Sequence, residues 1–162
     1  MKFSHFQKLV DMMFELNGEG AIKKRYDSIE VKTLNPLVLA YVGDAYFHLF
    51  VRTKLLSYEQ AKVQALHSFS MQIVSAVWQA KAYKKIENML TDEEKAIYRR
   101  GRNAKSHAPR SATVGEYHAS TGFEALLGSL YLSEQNERLY EIAEAAFEVI
   151  ASAMMSDIKE KK

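Results

Sequence analysis

The run NPLVLAYVGDAYFHLFV, residues 35–51, limits the fold more than any other stretch. Pro36 sits where a helix can begin, because the N–H it lacks is one that a first helical turn leaves unpaired anyway, and Asn35 can cap that turn. The spacing predicts a helix running to about Leu56. Such a helix is apolar on most faces, so it must be covered on most faces, by a core or by a second subunit. Asp44 interrupts it. A carboxylate in a run bound for a core is costly unless a donor, a basic partner or a cation satisfies it.

Chain breakers are rare: 7 glycines and 2 prolines in 162 residues leave few obligatory turns and favour helices over a many-stranded sheet. Phe3, Phe6, Leu9, Val10, Met13 and Phe14 recur at helical spacing, with a stop at Asn17-Gly18. Residues 18–34 read as a polar connector, and residues 59–67 as a short helical piece. Ser68 or Ser70 can cap a long helix through Met89, apolar at Met71, Val74, Val77, Trp78 and Ala82. Thr91-Asp92-Glu93-Glu94 has the cap-plus-acid pattern of a helix start. That helix ends near Ala104, and residues 105–117 read as a loop. Helices are then expected over 118–133 and 136–155, the last amphipathic and acidic. No strand alternation and no internal repeat is visible. The expected fold is all-α, a bundle of about seven helices, with residues 1–30 as an N-terminal helical extension and residues 31–162 as the main domain.

With no cysteine, the chain has no disulfide framework, no cysteine-ligated zinc site and no cysteine nucleophile, and it suits a reducing cytosol. Lys8, Asp11 and Glu15 break up the N-terminus, so it is not a secretion signal. The apolar run at 37–51 is too short to span a bilayer. A cytoplasmic protein is expected, with no membrane partner. Phosphate-binding glycine loops, HExxH and GxSxG are absent, so triphosphatase, zinc-protease and serine-hydrolase readings have no support.

A second apolar stretch, STGFEALLGSLYL at 120–132, carries Glu124 as its one charge. Gly128 follows Glu124 by one turn and Gly43 precedes Asp44, and both glycines are expected to leave open space beside the carboxylates. Two acids so placed suit a metal site reached by a bulky substrate. Magnesium takes one or two carboxylates and completes its shell with water and phosphate oxygens. His48, one turn beyond Asp44, reads as a core histidine, with orienting Asp44 as the alternative. Trp78 and the methionine pairs read as core or interface.

Between Tyr98 and Gly115 stand Arg99, Arg100, Arg102, Lys105 and Arg110, with no acid among them. A solvated face is the usual meaning of such a run. Its position, leading straight into the stretch that bears Glu124, favours a phosphate-binding surface instead, since basic groups neutralise nucleic-acid backbones.

LAYVGDA at 39–45 and FEALLGSLYL at 123–132 resemble the two metal-binding helices of the ribonuclease III catalytic domain. The order and separation of the motifs and the NAKS turn resemble most closely its short Mini-ribonuclease III branch, over about residues 30–155. The resemblance implies a magnesium-dependent (Mg2+) endoribonuclease that cleaves double-stranded RNA to 5′-phosphate and 3′-hydroxyl ends. It implies Asp44 and Glu124 as the catalytic metal ligands, with no small-molecule cofactor. Two further acids of the larger family fall on Ala40 and Thr121, so a second ion would depend on water and phosphate. The resemblance also implies a homodimer with the signature helices packed together, Tyr41, Tyr46, Phe47 or Phe50 contributing to the contact. Without a double-stranded RNA-binding domain, Arg99, Arg100, Arg102, Lys105 and Arg110 would bind the RNA. The substrate it implies is the precursor of large-subunit ribosomal RNA. Two other readings are a non-catalytic RNA-binding module on the same fold and a helical protein whose acidic last helix docks a partner.

Overall fold

Caps set the helix boundaries. In the computed structural model, which describes residues 3–26, 28–105 and 112–160, the chain divides into two units, residues 1–30 and residues 31–162. The smaller unit holds α1 (Phe3–Met13), none of whose residues is buried. A short antiparallel bridge between Leu16 and Ile22 follows it. The turn between them is closed by Asn17, whose Oδ1 accepts from the backbone N–H groups of Glu19 and Ala21 at 3.0 and 2.9 Å. Gly20 takes φ +78° there, a conformation open to glycine. The stretch read as a polar connector therefore begins with a small closed turn.

The larger unit contains α2 (Pro36–Leu55), α3 (Val63–Ile73), α4 (Ala76–Ile86), α5 (Asp92–Arg102), α6 (Val114–Leu132) and α7 (Asn136–Glu160). With α1, seven α-helices are found among the described residues, and the all-α expectation holds. Asn35 caps α2 as expected, its Oδ1 accepting from the N–H of Leu37 at 2.9 Å. Thr91 and Glu94 form a reciprocal capping box on α5, as Thr113 and Glu116 do on α6. That second box starts α6 at Val114, four residues before the expected 118.

The expected long helix through Met89 is two helices. The chain breaks at Val74-Ser75, where Ser75 is extended at ψ 150°. Apolar periodicity ran through the break because Ile73, Val74, Ala82 and Tyr83 all face one core. The last helix continues to Glu160, beyond the expected 155.

Buried residues of α6 form an almost unbroken run, Ser120–Phe123 and Ala125–Leu130, so this helix lies inside the unit. Helices α2, α4, α5 and α7 all pack on it. Phe47 of α2 meets Phe123 of α6 edge-on at 5.3 Å, and Tyr83 of α4 stacks on Tyr98 of α5 at 3.4 Å. At the start of α5 and the start of α7, Arg138 ties three segments: it donates to both Glu94 oxygens, to the carbonyl of Met89 and to Glu141.

Helix α2 is covered only in part within one protomer. It buries Leu39, Ala40, Gly43, Phe47, Phe50, Val51 and Leu55, and leaves Val38, Tyr41 and Leu49 exposed.

Candidate active site

Gly43 and Gly128 bring α2 and α6 together. A Cβ on Gly43 would fall 1.8 Å from the carbonyl oxygen of Glu124, and one on Gly128 would fall 1.9 Å from that of Leu39. The expectation of open space beside these glycines is therefore corrected: each is filled by the other helix's backbone. Only a residue without a side chain permits this approach. A second close approach joins α5 to α6, where a Cβ on Gly101 would fall 2.6 Å from that of Ala125.

The first crossing puts Asp44 and Glu124 on one open hollow of about 340 Å³, lined also by Leu37, Ala40, Tyr41, Tyr117 and Thr121. The two carboxylates meet different surroundings. The Asp44 side chain is 49% exposed, so it stands at the mouth of the hollow. Its Oδ1 lies 3.4 Å from His48 Nε2, so the histidine faces the aspartate instead of serving only as core. Glu124, also partly buried, is the one whose carboxyl is desolvated by its surroundings. Burial pushes its carboxyl up to about 7, the negative charge of Asp44 adds to the rise, and a hydrogen bond from Gln79 opposes it. A carboxylate held up by a like charge is a place where a cation would be stabilised.

Ala40 and Thr121, where the resemblance implies two further acids in the larger family, both line this hollow. Thr121 Oγ1 is turned to its own helix and donates to the carbonyl of Tyr117 at 2.9 Å. Among the described residues no group of three or more His, Cys, Asp or Glu could hold a metal ion. The site offers two carboxylates and little else, a donor set that fits a hard, oxygen-preferring cation keeping most of its water.

Arg99, Arg100, Arg102 and Lys105 are all exposed at the end of α5 and just beyond it. Arg110 lies outside the described residues. Arg100 donates to the carbonyls of Lys32 and Leu34 at 3.3 and 3.0 Å, so it also tethers the approach to α2. His118 Nδ1 sits 2.7 Å from the carbonyl oxygen of Arg102, in the tautomer that donates. That bond pins the basic end of α5 to the turn of α6 that carries Tyr117, at the edge of the hollow.

Sequence reasoning missed Gln79. It is 1% exposed, and its Nε2 donates to Glu124 Oε1 at 3.0 Å. The available signal was a polar residue on the buried face of α4, in register with Tyr83 and Ile86. It also missed Lys81 and Lys84 of α4, exposed cations close enough to help hold Glu116 ionised.

Comparison with known proteins places the chain in a family. The Ribonuclease III domain model matches residues 37–135. A Mini-ribonuclease 3 from Symbiobacterium thermophilum is 50% identical over 119 residues, 73% of this chain and 92% of that protein. Another from a Thermoanaerobacter species is 46% identical over 121 residues, 74% of this chain and 85% of that one. The crystal structure of a Fusobacterium nucleatum protein superposes with a TM-score of 0.67 at 34% identity, covering 75% of this chain and 98% of the other. The chain belongs to the ribonuclease III domain family of endoribonucleases, in its Mini-ribonuclease 3 branch.

Proposed function

We propose that this endoribonuclease cuts double-stranded RNA with magnesium held between Asp44 and Glu124, leaving 5′-phosphate and 3′-hydroxyl ends. The observation that carries the reading is the pairing of two carboxylates on one hollow, with Glu124 destabilised as an anion by burial and by Asp44. A bound magnesium ion supplies Lewis-acid chemistry: it lowers the pKa of water and stabilises the leaving 3′ oxygen. The chain's own part is to hold that cation and to align the duplex. Asp44, at the mouth, is accessible to an RNA phosphate, while Glu124 anchors the pair from within. Arg99, Arg102 and Lys105 draw the phosphate backbone toward the hollow, and A-form RNA is read there by shape and 2′-hydroxyls. Arg100 and Arg110 complete the proposed RNA-binding set, Arg100 while keeping its bonds to the Lys32 and Leu34 carbonyls.

The unit of residues 31–162 is the proposed catalytic domain, with residues 1–30 as an extension. The proposed active form is a homodimer with one site per strand. Its contact is drawn to the exposed apolar residues of α2, Val38, Tyr41 and Leu49. Phe47 and Phe50, expected there as candidates, are packed inside the protomer. The biological substrate we propose is the precursor of large-subunit ribosomal RNA, processed in the cytoplasm. No described helix is long and apolar enough to cross a membrane.

The test is cleavage of long double-stranded RNA in magnesium by the parent, Asp44→Asn and Glu124→Gln. The parent should cut and both variants should fail. Equal cutting by all three would end the assignment of these residues.

A further inference from the structure

Gln79 is buried inside α4, and its side chain is held at both ends of one nitrogen. Nε2 donates to the carbonyl oxygen of Val74 at 2.8 Å and to Glu124 Oε1 at 3.0 Å. Both partners are acceptors, so the amide nitrogen, and not its oxygen, must face them. Gln79 Oε1 is thereby buried, and among the described residues nothing donates to it. An unpaired buried acceptor costs stability. A methionine would fill the same volume without that unpaired oxygen, but it would leave the Val74 carbonyl and one Glu124 oxygen without their donor.

What glutamine supplies is a fixed donor. Val74 ends α3 and Ser75 is extended, so the carbonyl that anchors the amide sits at the break between α3 and α4. The other hydrogen reaches across to α6 and one oxygen of Glu124. The same break that splits the expected long helix thus provides the anchor.

We propose that Gln79 is a positioning residue for Glu124: its anchored amide fixes the carboxylate and leaves the second oxygen for a cation shared with Asp44. The inference rests on the reading of Asp44 and Glu124 as a magnesium pair. Partners that orient a ligating group change metal affinity by about 10- to 100-fold in other metal sites.

The experiment is calorimetric titration of the full chain with magnesium alone, for the parent, Gln79→Met and Glu124→Gln. Gln79→Met should bind magnesium about tenfold more weakly and recover cleavage of double-stranded RNA at high magnesium. Unchanged magnesium affinity in folded Gln79→Met would overturn the inference. So would a lowered melting temperature with a cleavage defect that magnesium does not repair, since that marks a purely structural role. Should Gln79→Met not fold, the unaltered chain still decides. The side-chain 15N–1H signals of Gln79 should shift with added magnesium in the parent and stay still in Glu124→Gln. Signals unmoved in the parent would overturn the proposal. Parent-like magnesium binding and cleavage by Glu124→Gln would instead defeat the metal-pair reading itself. A defective Glu124→Gln beside a parent-like Gln79→Met would defeat the role of Gln79 alone.

Discussion

The Cα of Gly43 rests against the peptide of Glu124, so closely that a Cβ there would come within 1.8 Å of the carbonyl oxygen. The contact does two things at once. It closes the packing of α2 on α6, and it sets Asp44 beside Glu124 on the hollow.

Gly43→Ala should therefore damage stability and activity together. Forcing a methyl group into packed backbone costs about 1–3 kcal/mol and at times more. Urea unfolding should show a loss at or above the top of that range. Gly115→Ala is the control: its Cβ would meet nothing within 4 Å, and it sits in the first turn of α6. That variant should be as stable as the parent or slightly more so.

Arg138 and Glu94 should govern stability in acid. The hydrogen bonds from Arg138, first, and those at Thr91 hold the Glu94 carboxyl below its ordinary value of 4.5. Its contribution is fully present above pH 4.5 and is lost as pH falls through the lower folded value. Urea midpoints measured from pH 6 down to pH 3 should decline less steeply in Glu94→Gln than in the parent. Arg138→Ala, which strands a nearly buried carboxylate, should cost about 3 kcal/mol at pH 7.

Glu124 has the opposite sign. Its folded value, near 7, lies above the ordinary 4.5, so the folded state favours the protonated form. In metal-free protein its contribution is greatest below pH 4.5 and falls away as pH rises toward 7, by on the order of 2 kcal/mol given the open side of the hollow. Chemical unfolding in a chelator should show that decline, and Glu124→Gln should flatten it.

The basic end of α5 should reveal itself through salt. Arg102→Ala and Lys105→Ala should each weaken binding to any duplex sequence and lower the slope of log affinity against log salt by about one. Arg100→Ala should also lower the melting temperature, because Arg100 bonds the Lys32 and Leu34 carbonyls. An unchanged slope in the Arg102 and Lys105 variants would move the RNA-binding face elsewhere.

Much of this architecture is legible in the chain because it is local. Asn35-Pro36 and the Thr91 box announce the starts of α2 and α5. The Thr113 box was equally readable, and it places the start of α6 at Val114. The break at Val74-Ser75 was hidden because both helices turn apolar residues to one core, although a serine within the run was a hint. What the pattern did not hold is what crosses it. Gly43 and Gly128 are visible as glycines, but nothing in their neighbourhood says that a distant peptide fills the space. The same is true of Asp44 and Glu124: both acids stood out, yet their unequal burial depends on how the two helices cross. Gln79 escaped because its partners, Val74 and Glu124, lie on either side of it in space, one nearby in the chain and one far away.

The most direct test is the kinetic coupling of Asp44 and Glu124. Residues that hold one cation act as a unit, so their losses do not add. Single-turnover cleavage of double-stranded RNA in magnesium should fall about a thousandfold or more in Asp44→Asn and in Glu124→Gln alike, and Asp44→Asn/Glu124→Gln should be no slower than either. Losses that multiply in the double variant, or parent-like rates in either single variant, would show that the two carboxylates do not serve one site.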